Sequence, residues 1–204
     1  MTTFLQKIKK VKKTGIGNTI IAQIKKAALY ILFLIFRFDR WHTMRPYETT
    51  NYKKITVRLA QSVSPVTVVD VGCGIGDILR RIQAPERIGI DIDKQALRCA
   101  QLLNLFTSPA IVYIEGSITN VDQISQRPID VLIMTGWIHV QSDAWVEPLL
   151  ESLFSNVQVR YYIIDEFPAQ KGRIEKLFSK YGSIIEKVED WQDGKTVFLF
   201  QSHL

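Results

Sequence analysis

Two cysteines and three histidines in 204 residues leave little material for a metal centre or a disulfide framework. Cys73 and Cys99 show neither zinc-site nor disulfide spacing, so the chain suits a reducing compartment and no bound metal is expected. No stretch is proline-rich, glycine-rich or repetitive, which excludes solenoids, collagen-like chains and long disordered linkers. Nor is there an apolar run of the roughly 20 residues that a spanning helix needs; the longest, Ala27 to Phe36, is about half of that. Arg37, Asp39 and Arg40 follow it, where a secretory signal would carry small residues and a cleavage site. Acidic residues are scarce in one region only. Residues 1–60 hold 13 Lys/Arg against 2 Asp/Glu, a balance of +11, whereas the rest hold 13 against 18, or −5. The overall +6 therefore belongs to an N-terminal arm, a distribution that argues against a nucleic-acid partner and for an anionic membrane surface.

What is present suits one α/β domain over 61–204, with a hydrophobic share of 47% and a charged share of 23%, preceded by a basic helical arm over 1–60. In the arm, seven lysines between Lys7 and Lys26 interleave with Ile8, Val11, Ile16, Ile20, Ile21 and Ile24. This is a basic amphipathic helix that either packs on the domain or, through residues 1–36, lies in a membrane interface, two compatible roles, with a targeting presequence as the third reading.

From Pro65 the pattern changes to PVTVVDVGCGIGDILRRI. Val66, Val68, Val69 and Val71 predict a buried parallel strand; Gly72, Gly74 and Gly76 predict a tight turn around Cys73, and a helix is expected to begin near Asp77. Glycine lets a backbone approach a ligand closely. The spacing is G-x-G-x-G and not the G-x-G-x-x-G of dinucleotide sites, and Asp70 heads the turn, where a pyrophosphate would be repelled and a cationic ligand favoured. A nicotinamide-dependent oxidoreductase is disfavoured on both counts. Next, RIGIDIDKQALRCA predicts a strand ending in Asp91, with Asp93 capping a helix. A carboxylate at that strand end can accept both hydroxyls of a ribose.

An acid followed by x-G-x-G-x-G resembles the first motif of the class I S-adenosylmethionine-dependent methyltransferases. That resemblance implies S-adenosylmethionine as cofactor, held by Asp70, Gly72, Cys73, Gly74, Gly76, Asp91, Ile92, Ser117, Thr135 and Gly136. Asp91 would take the ribose, Ile92 would flank the adenine, and Ser117, where the family often has an acid, would bond the adenine amino group. It also implies a Rossmann-like, seven-stranded, mostly parallel sheet with a C-terminal antiparallel hairpin. The sequence fits: IVYIEGSI, DVLIMTGWIHV and YYIIDEFP read as three further strands, and Asp193-Gly194 separates two alternating segments as a hairpin would. A helix is expected near Lys171 to Tyr181.

Methyl transfer to a hydroxyl benefits from a base. His139, just past the fourth strand, is the expected one, oriented by Asp165 or Glu166 and walled by Trp137, although a plain loop histidine is the competing reading. Phe36 to Tyr52 carries Trp41, His42, Tyr47 and Tyr52 among arginines, a pattern that serves either a flat or sugar-like acceptor or the docking of a helix. The segment is similar to the N-terminal part of small bacterial methyltransferases of cell-surface polysaccharide synthesis, which share an aromatic W-H element. That resemblance implies O-methylation of a glycan hydroxyl at the cytoplasmic leaflet, by a cytoplasmic, peripherally bound enzyme. A small-metabolite methyltransferase with the arm as a lid, and a non-catalytic methyltransferase-like binding subunit, are the competing readings. No N/D-P-P-Y/F element stands at Met134 to Trp137, which argues against a nucleic-acid substrate.

Overall fold

The computed structural model describes residues 16–105, 107, 109–121 and 128–203. Residues 1–15, which hold five of the seven lysines between Lys7 and Lys26, lie outside the described residues. Among the described residues seven strands form one sheet: β1 Thr67–Val71, β2 Glu86–Asp91, β3 Val112–Glu115, β4 Ile129–Met134, β5 Val159–Glu166, β6 Gly182–Glu189 and β7 Thr196–Ser202. Their order is β3-β2-β1-β4-β5-β7-β6, parallel except for β7, which runs antiparallel to β5 and β6. All five residues of β1 are buried, as expected of a central parallel strand covered on both faces. The β6–β7 turn closes with the Gly194 N–H donating to the Asp190 carbonyl at 2.8 Å.

The longer helices are α1 Ile16–Phe36, α3 Asn51–Ser62, α4 Lys94–Asn104 and α5 Asp143–Asn156; α2 Trp41–Met44 and α6 Arg173–Phe178 are short. One face of the sheet packs on α5 and α6 around Tyr162, Phe178 and Phe200, the other on α3 through Ile55, Leu59 and Ala60. Residue 60, the expected end of the arm, falls inside α3, whose buried side chains share the domain core. Helix α1 packs through Leu29, Leu32, Phe33 and Phe36.

One expected helix does not form. After Gly76 the chain makes turns and a single 3-10 turn, Leu79–Arg81, before β2 begins at Glu86. The span between turn and strand is too short for a helix that must also end before Pro85. The buried Arg87 of β2 supplies what a helix ladder would have, donating from Nη1 to the carbonyls of Leu79 and Ile82 at 3.3 and 3.1 Å. Helix N-terminal N–H groups therefore do not crown this turn.

Candidate active site

A cavity of about 580 Å3 opens at the carboxyl ends of β1, β2 and β4, where the strand order reverses and open α/β sheets bind ligands. One wall comes from residues 70–93. Asp70 is 2% exposed and accepts no hydrogen bond among the described residues; burial, then the Asp91 carboxylate, push its pKa up to about 8. Asp91 Oδ2 accepts the Gly74 N–H at 2.7 Å and Oδ1 the Asp93 N–H at 2.9 Å. Each oxygen keeps a further lone pair. Asp93 caps α4, its Oδ1 accepting from the N–H groups of Gln95 and Ala96, while its Oδ2 accepts the Asp39 N–H at 3.0 Å. One carboxylate thus starts a helix and ties the arm to the domain.

The glycines serve packing as much as ligand approach. A Cβ on Gly72 would stand 2.7 Å from Trp137 Cδ1, one on Gly74 would run into the His42 imidazole, and one on Gly76 into the Tyr113 hydroxyl. With φ of +77°, +54° and +71° all three also favour glycine. Gly72 and Cys73 line the cavity; Gly74 and Gly76 are not part of its lining and act through the turn.

A second wall is gathered from distant parts of the chain. Thr135, Gly136 and Trp137 follow β4; the Gly136 N–H donates to Asp165 Oδ1 at 2.7 Å, and the Trp137 indole N–H to the Val71 carbonyl at 2.8 Å. Asp165 Oδ2 in turn receives the Lys195 ammonium at 2.6 Å, with both side chains 1% exposed. Lys195 sits between the Tyr52 and Phe167 rings, 4.1 and 3.8 Å from their centroids. Trp145 of α5 meets Trp137 edge to face at 6.5 Å, and the Arg45 guanidinium stands 4.8 Å from the Trp41 ring. Three of the four tryptophans, Trp41, Trp137 and Trp145, therefore line one cavity. Asp77 also lines the cavity: burial alone would raise its carboxyl, but Lys53 at 3.0 Å, Arg81 at 2.7 Å and Arg80 hold it at about 2.

The residues expected from the sequence divide clearly. Asp70, Gly72, Cys73, Asp91, Ile92, Ser117, Thr135, Gly136, Trp41, His42 and Trp137 line the cavity. Tyr47 does not; its ring lies 4.0 Å from the Arg81 guanidinium, within the packed side of the arm. His139, Asp165 and Glu166 are also outside the lining. The His139 ring lies against Phe167 at 3.9 Å, its buried Nδ1 has no hydrogen-bond partner among the described residues, and burial lowers its pKa against the pull of Asp165. The expected orientation of His139 by a carboxylate is not seen, because Asp165 is held by Lys195 and Gly136 and Glu166 accepts the Ile174 N–H at 2.9 Å. His42 is in the wall instead, and burial pushes its imidazole below the usual range, against Asp91.

Asp39, Arg45, Lys53, Asp77 and Trp145 also line the cavity and escaped the sequence reading. Asp77 stands directly after the glycine turn, a signal that was there to use. Trp145, an ordinary position in a helix, gave none.

Residues 68–159 match the model of a methyltransferase domain family. No curated protein matches significantly. Among solved structures, the N-methyltransferase NodS of Bradyrhizobium japonicum, in complex with S-adenosylhomocysteine, superposes with a TM-score of 0.65 at 13% identity over 79% of this chain and 90% of that one. Magnesium protoporphyrin IX methyltransferase of Synechocystis, with bound S-adenosylmethionine, gives 0.64 at 14% over 91% and 96%. An rRNA methylase of Streptococcus thermophilus gives 0.54 at 15% over 78% and 96%. Likeness at such identities carries the fold alone, and the fold does not choose among such different acceptors.

Proposed function

We propose that this chain is a class I S-adenosylmethionine-dependent methyltransferase and that it transfers the methyl group to a hydroxyl of a sugar or glycan presented near a membrane surface. The observation that carries the acceptor class is the set of three indoles around one cavity, since flat aromatic faces suit the apolar face of a sugar ring. The residues of the first wall fit the cofactor: a buried carboxyl at Asp70, which accepts no hydrogen bond among the described residues, favours a cation, and the spare lone pairs of Asp91 suit a ribose diol. Ile92 and Ser117 would border the adenine, and Thr135 and Gly136 complete the wall.

S-adenosylmethionine supplies a methyl group on a sulfonium that is already a good leaving group, which leaves the protein to align the acceptor and exclude water. Trp41, Trp137 and Trp145 do both. His42 takes the acceptor proton in this reading, because it lines the cavity and its lowered pKa leaves the ring neutral at physiological pH, with one nitrogen free to accept.

Calorimetry with S-adenosylmethionine and with NAD, followed by a labelled-methyl screen of glycans, lipid-linked sugars and amines, tests the proposal. Binding of the sulfonium nucleoside alone and label on sugar hydroxyls are expected. Uptake of NAD in its place overturns the cofactor, and label confined to amines overturns the acceptor.

A further inference from the structure

We infer that helix α1 binds an anionic bilayer in the plane of its surface, through the face that the domain leaves uncovered. The helix is apolar on two sides. Leu29, Leu32, Phe33 and Phe36 pack on a cluster containing Phe38 and Ile75, whereas Ile24, Ile31, Leu34 and Ile35 are 57 to 67% exposed. At 100° per residue the first set centres on one side of the helix and the second on nearly the opposite one. A run of large aliphatic side chains along one helix face is not ordinary solvated surface.

Charge decides the occupant. Residues 1–40 carry 9 Lys/Arg and a single acid, Asp39. A second copy would bring the same charge against this one, whereas an anionic surface gains about fivefold in partitioning for each nearby basic residue. Among the described residues no helix is long and apolar enough to cross a membrane, so the helix lies on the surface.

The location matters for the cavity. Phe33 of α1 contacts Phe38 with ring centroids 5.9 Å apart, and Phe38 contacts His42 of the cavity wall at 6.0 Å. Three exposed apolar residues, Trp41, Ile92 and Trp145, stand among those lining the cavity. A docked α1 brings that rim close to the headgroups, where a lipid-linked acceptor would present its sugar. This last step rests on the proposed acceptor; the docking itself does not.

The test uses the full chain in flotation with vesicles of phosphatidylcholine alone and of phosphatidylcholine with phosphatidylglycerol. The wild type floats with the anionic vesicles only, and added salt weakens it. Replacing Ile31, Leu34 and Ile35 together by serine weakens flotation at least about tenfold while the thermal melt stays cooperative. A bimane probe on Leu34→Cys shifts to the blue with anionic vesicles, a readout independent of the triple variant's folding. Unchanged flotation of a folded triple variant, or an unshifted probe, overturns the proposal. So does sedimentation showing a dimer that the triple variant dissolves, because a second copy then covers the face. Neither readout involves methyl transfer, so the catalytic reading and this one fail separately.

Discussion

The two walls of the cavity are built by opposite means. The wall from Asp70 to Asp93 is one continuous stretch whose contacts are mostly local: a strand end, a glycine turn, the next strand end and a helix cap. The second wall collects Trp41 and Arg45 from the arm, Thr135 to Trp137 from a loop and Trp145 from a helix, and is pinned by the Lys195–Asp165–Gly136 chain from the terminal hairpin. Two strand-end acids make the contrast plain. Asp91 faces the cavity with lone pairs to spare, while Asp165 is consumed by an ion pair and a backbone N–H. On the proposed function the cofactor is met by a local motif, and the acceptor by side chains that only the fold assembles.

If the second wall is held from a distance, cutting its tether should cost most. Lys195→Met leaves a buried carboxylate without its cation, and a loss of about 3–5 kcal/mol is expected in chemical denaturation. A loss under about 1 kcal/mol would mean that the pair is not what holds the loop.

Next in size is the pair of histidines on either side of the cavity boundary. His42→Asn should lower kcat roughly a hundredfold and remove the acid limb of the pH–rate profile, which lies below the ordinary histidine range of about 6.5 because burial lowers this pKa. His139→Ala should leave kcat nearly unchanged. The reverse result would return the base to the loop after β4. Weakened cofactor binding with an unaltered kcat would make His42 a wall residue only.

The smallest effect belongs to the local wall and is graded with pH. A cation favours ionised Asp70, so below pH 8 its binding expels the proton that Asp70 carries, and affinity for S-adenosylmethionine should rise by up to about tenfold per pH unit until about 8, then level. Folding runs the other way. The raised carboxyl binds its proton more tightly when folded, so its contribution to stability is fullest below the ordinary carboxylate pKa near 4 and is lost as pH climbs towards 8. Calorimetric titrations across that range should show the slope in the wild type and a flat line in Asp70→Asn; a flat wild-type profile would remove Asp70 from cation binding.

Most of the sheet was legible because its strands announce themselves in a few consecutive residues. Val68 to Val71, Arg87 to Asp91 and the Asp193-Gly194 turn each satisfy a local pattern that needs no partner to be read. The failures share a cause. The helix expected after Gly76 was read from a motif without allowing for the short distance to Pro85, and Arg87, which closes that turn in its place, looked like an unremarkable strand residue. His139 and Asp165 sit near each other in the sheet order, yet Lys195, thirty residues beyond Asp165, claims the carboxylate first. Nothing local to Asp165 or His139 marks that claim.

From its sequence alone this protein was committed to a parallel α/β sheet, an acid-headed glycine turn and a basic arm, because hydrophobic period, backbone freedom and charge act over a few residues at a time. Which side chains share the cavity, which acid is spent on an ion pair and which face of α1 stays bare were decided only when the fold brought residues from a few tens to more than a hundred positions apart into contact. Those choices are made by packing and desolvation between segments, and no single segment contains them.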